Sequence, residues 1–236
     1  MRLVYIAAAL VALCPPGMAG PKAPVAPPSP APSTFEDDML VRFHMHENYG
    51  LVRGIEKLVL RGRIEDAALF AAAIAEAPEE PGLGAYAAQA AKVRSSAAEL
   101  AKAKQLDQAA RATAHLAQAC ASCHTAAGID AQATPSLPPP DRDTLDARMA
   151  RHLWAAEQLW SGMIGNDDVA WKAGIQLIAT SKPLRDQLTT EQQALGRRLQ
   201  KTAERALRAD AKQIATRANV YGELLLTCAS CHTAPH

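Results

Sequence analysis

The sequence predicts an all-α fold arranged as two tandem four-helix bundles, and three observations predict it. The near-identical strings ACASCHTA and TCASCHTA begin at Ala119 and Thr227, so the chain reads as a repeat whose units each end in the same motif. Ala, Leu, Gln, Glu, Lys and Arg dominate both units, and aromatic residues make up only 4% of the chain, a composition that favours helix over strand. Gly or Pro punctuates the sequence at helix-length intervals.

The elements follow in order. Met1 and Arg2, followed by the apolar run Leu3 to Leu13, have the form of a signal peptide over residues 1–19, with small residues at Gly17-Met18-Ala19 for cleavage before Gly20. Cys14, at the end of the apolar run, resembles a bacterial lipoprotein acceptor, although Leu13 before it is a poor lipobox residue; both processing routes stay open. Residues 20–34 are nearly all Pro, Ala and Ser and read as an extended tether.

The first bundle is expected over residues 35–126. Ser33 with Glu36 makes a capping-box pattern that starts a helix running to about Arg61, where Gly62 ends it. A second helix is expected from about Ile64 to Ala77, stopped by Pro78 and Pro81. A third runs from about Gly84 to Lys104, and a fourth from Asp107 through His124. A Pro-rich linker, 127–141, containing TPSLPPP, separates this unit from a second bundle over 142–236. That unit repeats the plan at about Thr144–Ile164, Asp168–Ser181, Thr190–Ala209 and a helix reaching His232; Thr189 with Gln192 is another capping box. Four antiparallel helices with short loops bury such apolar stripes most simply.

Charge is nearly balanced, with 25 Lys plus Arg against 24 Asp plus Glu, which removes any general field for nucleic acid or anionic lipid. Membrane attachment is expected only through a lipid at Cys14.

The chemistry lies in the motifs. Cys120 and Cys123 at i and i+3, with His124 at i+4, project from one helix face, as do Cys228, Cys231 and His232. Two thiols so placed can add to porphyrin vinyl groups while the imidazole reaches the iron, and C-x-x-C-H is a haem-attachment signature. With Cys14 set aside, every Cys belongs to these motifs. A redox dithiol lacks its βαβ setting, and a closed zinc site lacks its fourth ligand in each unit. The expectation is two covalently attached haems c, with His124 and His232 as proximal iron ligands. A core built largely from Ala is thin, and haem would fill it. Leu116 and Leu224, four residues before each motif, are placed to pack on porphyrin, or equally to be ordinary helix core. His115 lies out of phase with His124 and reads as a surface residue, and His236 is terminal. Trp154, Trp160 and Trp171 read as core.

A four-helix bundle with its haem motif at the end of the fourth helix resembles the cytochrome c′ family, and the resemblance covers about residues 35–126 and 142–234. Only four residues follow His232, so a sixth ligand is sought upstream. In that family the residue facing the open side of the haem lies sixteen positions before the Gly that ends the first helix, which here reaches His46 from Gly62 and Met149 from Gly165. His44 and Met45 are the alternatives to His46, and His152 is the alternative to Met149. Arg42 matches a basic family residue that contacts haem propionate, whereas Leu145 stands at the corresponding place in the second unit.

The resemblance implies a periplasmic carrier of single electrons, not an enzyme, docking transiently with redox protein partners. With His46 on the first haem and Met149 on the second, the first has the lower potential, because an axial Met raises it. A gas-binding module with one open haem is the alternative; a di-haem peroxidase lacks a positioned acid or base.

Overall fold

The structure is a computed structural model that describes residues 35–79, 81–129, 136–182, 188–209 and 213–234. The expected signal peptide and tether, Cys14, Ser33 of the expected capping box and His236 lie outside the described residues. Among the described residues the chain is all-helical, with eight α-helices, one 3-10 helix and no strand.

In chain order the helices are α1 (Phe35–Leu60), α2 (Ile64–Ala75), α3 (Ala87–Ala101), α4 (Leu106–Ala127), α5 (Leu145–Ile164), α6 (Asp168–Thr180), α7 (Thr190–Ala209) and α8 (Ile214–Thr233). The expected third helix begins later than Gly84, because Pro81–Tyr86 winds as a 3-10 turn before α3. Gly62 ends α1 as expected: at φ 69° it carries a 2.9 Å bond to the Val59 carbonyl, while Arg63 N–H reaches Leu58 O at 2.9 Å. Gly128, at φ 65°, closes α4 just past the motif in the same way, with Ile129 N–H on His124 O at 3.0 Å. Thr144 caps α5 by accepting from Ala147 N–H at 3.3 Å. Asp167 caps α6 by accepting from Val169 and Ala170 at 2.8 and 3.1 Å. The Thr189–Gln192 capping box is formed reciprocally, at 3.0 and 3.2 Å.

Consecutive helices pack as neighbours within each repeat, and the two motif-bearing helices, α4 and α8, pack on each other. Small residues allow that approach: Ala114 and Ala117 on α4 and Ala218 on α8 are buried, and a Cβ on Gly222 would stand 3.4 Å from the Cα of Arg111. One cluster of buried apolar side chains draws members from all eight helices, from Val52, Ile55 and Val59 on α1 to Leu224 and Leu225 on α8. Core continuity therefore runs across the repeat boundary. The connecting stretch 136–140 is tied to α5, where Arg151 donates to Pro139 O at 2.6 Å and Trp154 to Ser136 Oγ at 2.9 Å.

The second repeat is braced by a buried cation. Arg217 on α8, 1% exposed, donates to Gly162 O at 2.9 Å, pairs with Asp168 and lies over the Trp171 ring at 5.5 Å. Close approach of α5 and α6 makes that geometry possible, since a Cβ on Gly162 would come within 2.5 Å of the Trp171 backbone nitrogen.

Candidate functional site

The first motif opens onto a cavity enclosing about 800 Å³ of atom-free space, part of it continuous with solvent. Cys120, Cys123 and His124 contribute from α4, and His44, Met45, Asn48, Tyr49 and Val52 from α1. The remaining lining comes largely from apolar residues of α2, the 3-10 turn and α3, with Arg94 as the cationic member and Ile164 arriving from the far end of α5.

The α1 residues in that lining follow a 3–4 spacing at 45, 48, 49 and 52, which is one helix face. His46 is one residue, about 100°, off that face. It is exposed and does not line the cavity, so the expectation that His46 faces the first motif is corrected to its neighbours His44 and Met45. Arg42 is likewise exposed and outside the lining. The cation that lies at the cavity is Arg94 on α3, which also bonds Glu79 at 2.7 Å. Asn48 donates to His44 Nε2 at 2.7 Å, which holds that ring by one nitrogen and leaves the Met45 thioether as the soft donor on this face.

Leu116 and Leu224 are fully buried members of the shared core, and Leu116 is not among the cavity-lining residues; of their two expected roles, helix core is the one their placement displays. His115 is exposed, as its phase predicts.

Burial pushes the Cys120 and Cys228 thiols up to about 12, with the neighbouring Cys of each motif adding to the rise. Burial raises Cys123 and Cys231 as well. A nucleophilic or redox dithiol needs a thiolate held by nearby positive charge, and these surroundings act in the opposite direction. Neutral, apolar-walled sulfurs suit a thioether. Among the described residues no three His, Cys, Asp or Glu side chains converge as a metal-binding group, so a closed zinc set is not pre-assembled.

His124 is half-buried, and its Nδ1 lies 3.1 Å from the carbonyl oxygen of Ile164. A carbonyl only accepts, so Nδ1 carries the proton and Nε2 keeps the lone pair. That is the tautomer an Nε2 metal ligand requires. Two thiols and an oriented imidazole set together in an apolar-walled cavity are the donor set that a covalently attached haem uses.

At the second motif, Cys228 and Cys231 are half-buried and His232 is exposed at the end of α8. On α5, Met149 and His152 are both half-buried. The pKa of His152 is lowered by burial first, then by the charges of Arg148, His232 and Arg151. The influence of His232 places His152 in its electrostatic neighbourhood.

A third cluster was not anticipated from sequence. Glu56 on α1, 6% exposed, accepts from the Tyr221 hydroxyl on α8 and pairs with Arg53. Arg53 stacks over Trp160 at 5.6 Å, and the Trp160 and Tyr221 ring centroids are 5.6 Å apart. Burial raises the Glu56 carboxyl against the lowering effects of Arg53 and the Tyr221 bond. The only sequence signal was a Glu at i+3 from an Arg, which is normally a solvated pair.

No protein-family model matches the chain, and neither a curated protein nor a solved structure is significantly similar to it.

Proposed function

We propose that the chain is an exported, periplasmic di-haem c-type cytochrome, two tandem four-helix bundles similar to the cytochrome c′ family, carrying single electrons between transient protein partners. The observation that carries the reading is the cavity shared by Cys120, Cys123 and His124 of α4 with His44 and Met45 of α1. A repeat of the same motif at Cys228, Cys231 and His232 extends it to a second site. Haem iron supplies reversible one-electron exchange when bound.

In this reading the four motif thiols hold haem covalently, and His124 and His232 present Nε2 to iron. Met45 is the opposing donor at the first site, with His44 second because Asn48 engages its Nε2. At the second site Met149 is the opposing donor and His152 its alternative, both half-buried on α5. Arg94 balances propionate charge at the first cavity in place of Arg42. Axial Met raises a haem potential, so Met45 gives the first site a higher potential than His46 would. Export through residues 1–19, with or without lipid at Cys14, belongs to the same proposal; among the described residues no helix is long and apolar enough to cross a membrane.

The test is direct. Mass and pyridine haemochrome analysis of protein from an exporting host is expected to show two covalent haems, and a haem-free product removes the proposal. In the optical and magnetic spectra Met45→Ala is expected to abolish one Met-ligated signature and lower one of the two potentials, whereas His46→Ala leaves both haems unchanged. Carbon monoxide is expected to leave the reduced spectrum unaltered; a bound spectrum instead supports the gas-binding alternative.

A further inference from the structure

The carbonyl at the end of α5 faces a ring in the other repeat. Ile164 is the terminal residue of α5, and the last carbonyls of a helix have no partner within it. Ile164 itself is 7% exposed, so its carbonyl oxygen needs a donor from the protein. His124 Nδ1–H, forty residues earlier in the chain, supplies it at 3.1 Å. The helix C-terminus adds partial negative charge at that point. The Ile164 side chain meanwhile lines the same cavity as the first motif. The α1 end of the first repeat likewise lies close to α8, where a Cβ on Gly62 would meet Thr233 Cγ2 at 2.6 Å.

We infer that Ile164 is a positioning residue for the first motif: its main-chain oxygen fixes the tautomer, orientation and donor strength of His124, so the second repeat sets the redox character of the first. The inference rests on the haem reading proposed above. An acceptor on Nδ1–H makes the imidazole more basic at Nε2 and turns it to a defined plane, and hydrogen bonding of this kind is one of the levers by which a protein moves a haem potential. Neither repeat alone contains both partners.

The test uses the full-length di-haem protein. Gly165→Pro removes the 2.8 Å bond from Gly165 N–H to Ser161 O and disfavours the helical ψ of Ile164, turning its carbonyl away from His124. The expected result is an upward shift of one of two midpoint potentials in a spectroelectrochemical titration, with the other unchanged. Asn166→Gly removes the 3.4 Å contact with Arg217 in the same turn while accommodating its φ of 53°; it is expected to leave both potentials where they are. Equal shifts from both variants, or none from Gly165→Pro, overturn the assignment. If Gly165→Pro does not accumulate, the unmodified reduced protein decides: histidine-labelled NMR is expected to show one slowly exchanging Nδ1–H, and fast exchange at both sites overturns the inference. A protein without covalent haem sinks the functional reading and this inference with it, whereas haem present with an unprotected Nδ1–H sinks only the inference.

Discussion

The two repeats carry the same motif in unlike surroundings. In the first, α4 presents a run of buried alanines at 109, 110, 114, 117 and 121, and space is left beside the thiols. In the second, all three tryptophans of the chain are present, and Trp160, Trp171, Met163 and Ile175 fill the interior around the buried Arg217. A motif that specifies attachment says nothing about how much room its neighbours leave; that depends on side-chain volume several helices away. The first repeat has a cavity beside its motif, and the second braces the first through Ile164, Trp160 and Tyr221.

The contrast can be broken most decisively at Trp160. It is fully buried between α1, α5 and α8, and Trp160→Ala is expected to cost about 3–5 kcal/mol. Because one core joins all eight helices, urea denaturation followed by circular dichroism for the whole chain and tryptophan fluorescence for the second repeat should show both repeats lost in one transition. Separate melting of the first repeat would contradict the shared core. Arg217→Ala is expected to cost less, about 1–3 kcal/mol, chiefly by leaving the buried Gly162 carbonyl without its donor.

A subtler probe is pH. Glu56 has a folded pKa above its unfolded value, so the folded state binds the proton more tightly. The stabilisation is complete below about pH 4.5, the unfolded carboxyl value, and is lost as pH rises through the raised folded value. Arg53, Lys57, Tyr221 and Glu157 are the charged or titratable groups acting on it. Glu56→Gln is expected to flatten that downward limb of the stability profile in urea titrations across pH, and an unchanged slope would remove Glu56 as its source. Smallest is Thr144→Ala, which deletes the α5 cap and should cost about 1 kcal/mol, read as a modest fall in the urea midpoint.

Much of the helical plan was legible because its punctuation is local. Gly62 demanded a left-handed turn, Thr189 and Gln192 could close a box three residues apart, and Thr144 stood where a cap belongs. The thiols and His124 were legible for the same reason, their spacing being a property of one helix. Helix phase was not: a glycine count fixes a ligand only if the turn after it has a standard shape, and one residue of error rotates the side chain by about 100°. That is why His46 gave way to His44 and Met45. Arg94 and Ile164 lie on other elements than the motif, and no local pattern announces a contact across forty residues. Arg94, the Arg beside Val93 in alanine-rich α3, was the weaker signal that a closer reading could have used.

The shared core has a consequence for the proposed electron carrier. Groups attached through Cys120 and Cys228 would ride on α4 and α8, which pack directly against each other, so their separation is set by interdigitated side chains instead of by a tether. An electron passing between them need not wait for one module to find the other. Exchange inside the molecule should then be indifferent to solvent viscosity, leaving encounter with an external partner as the only diffusive event.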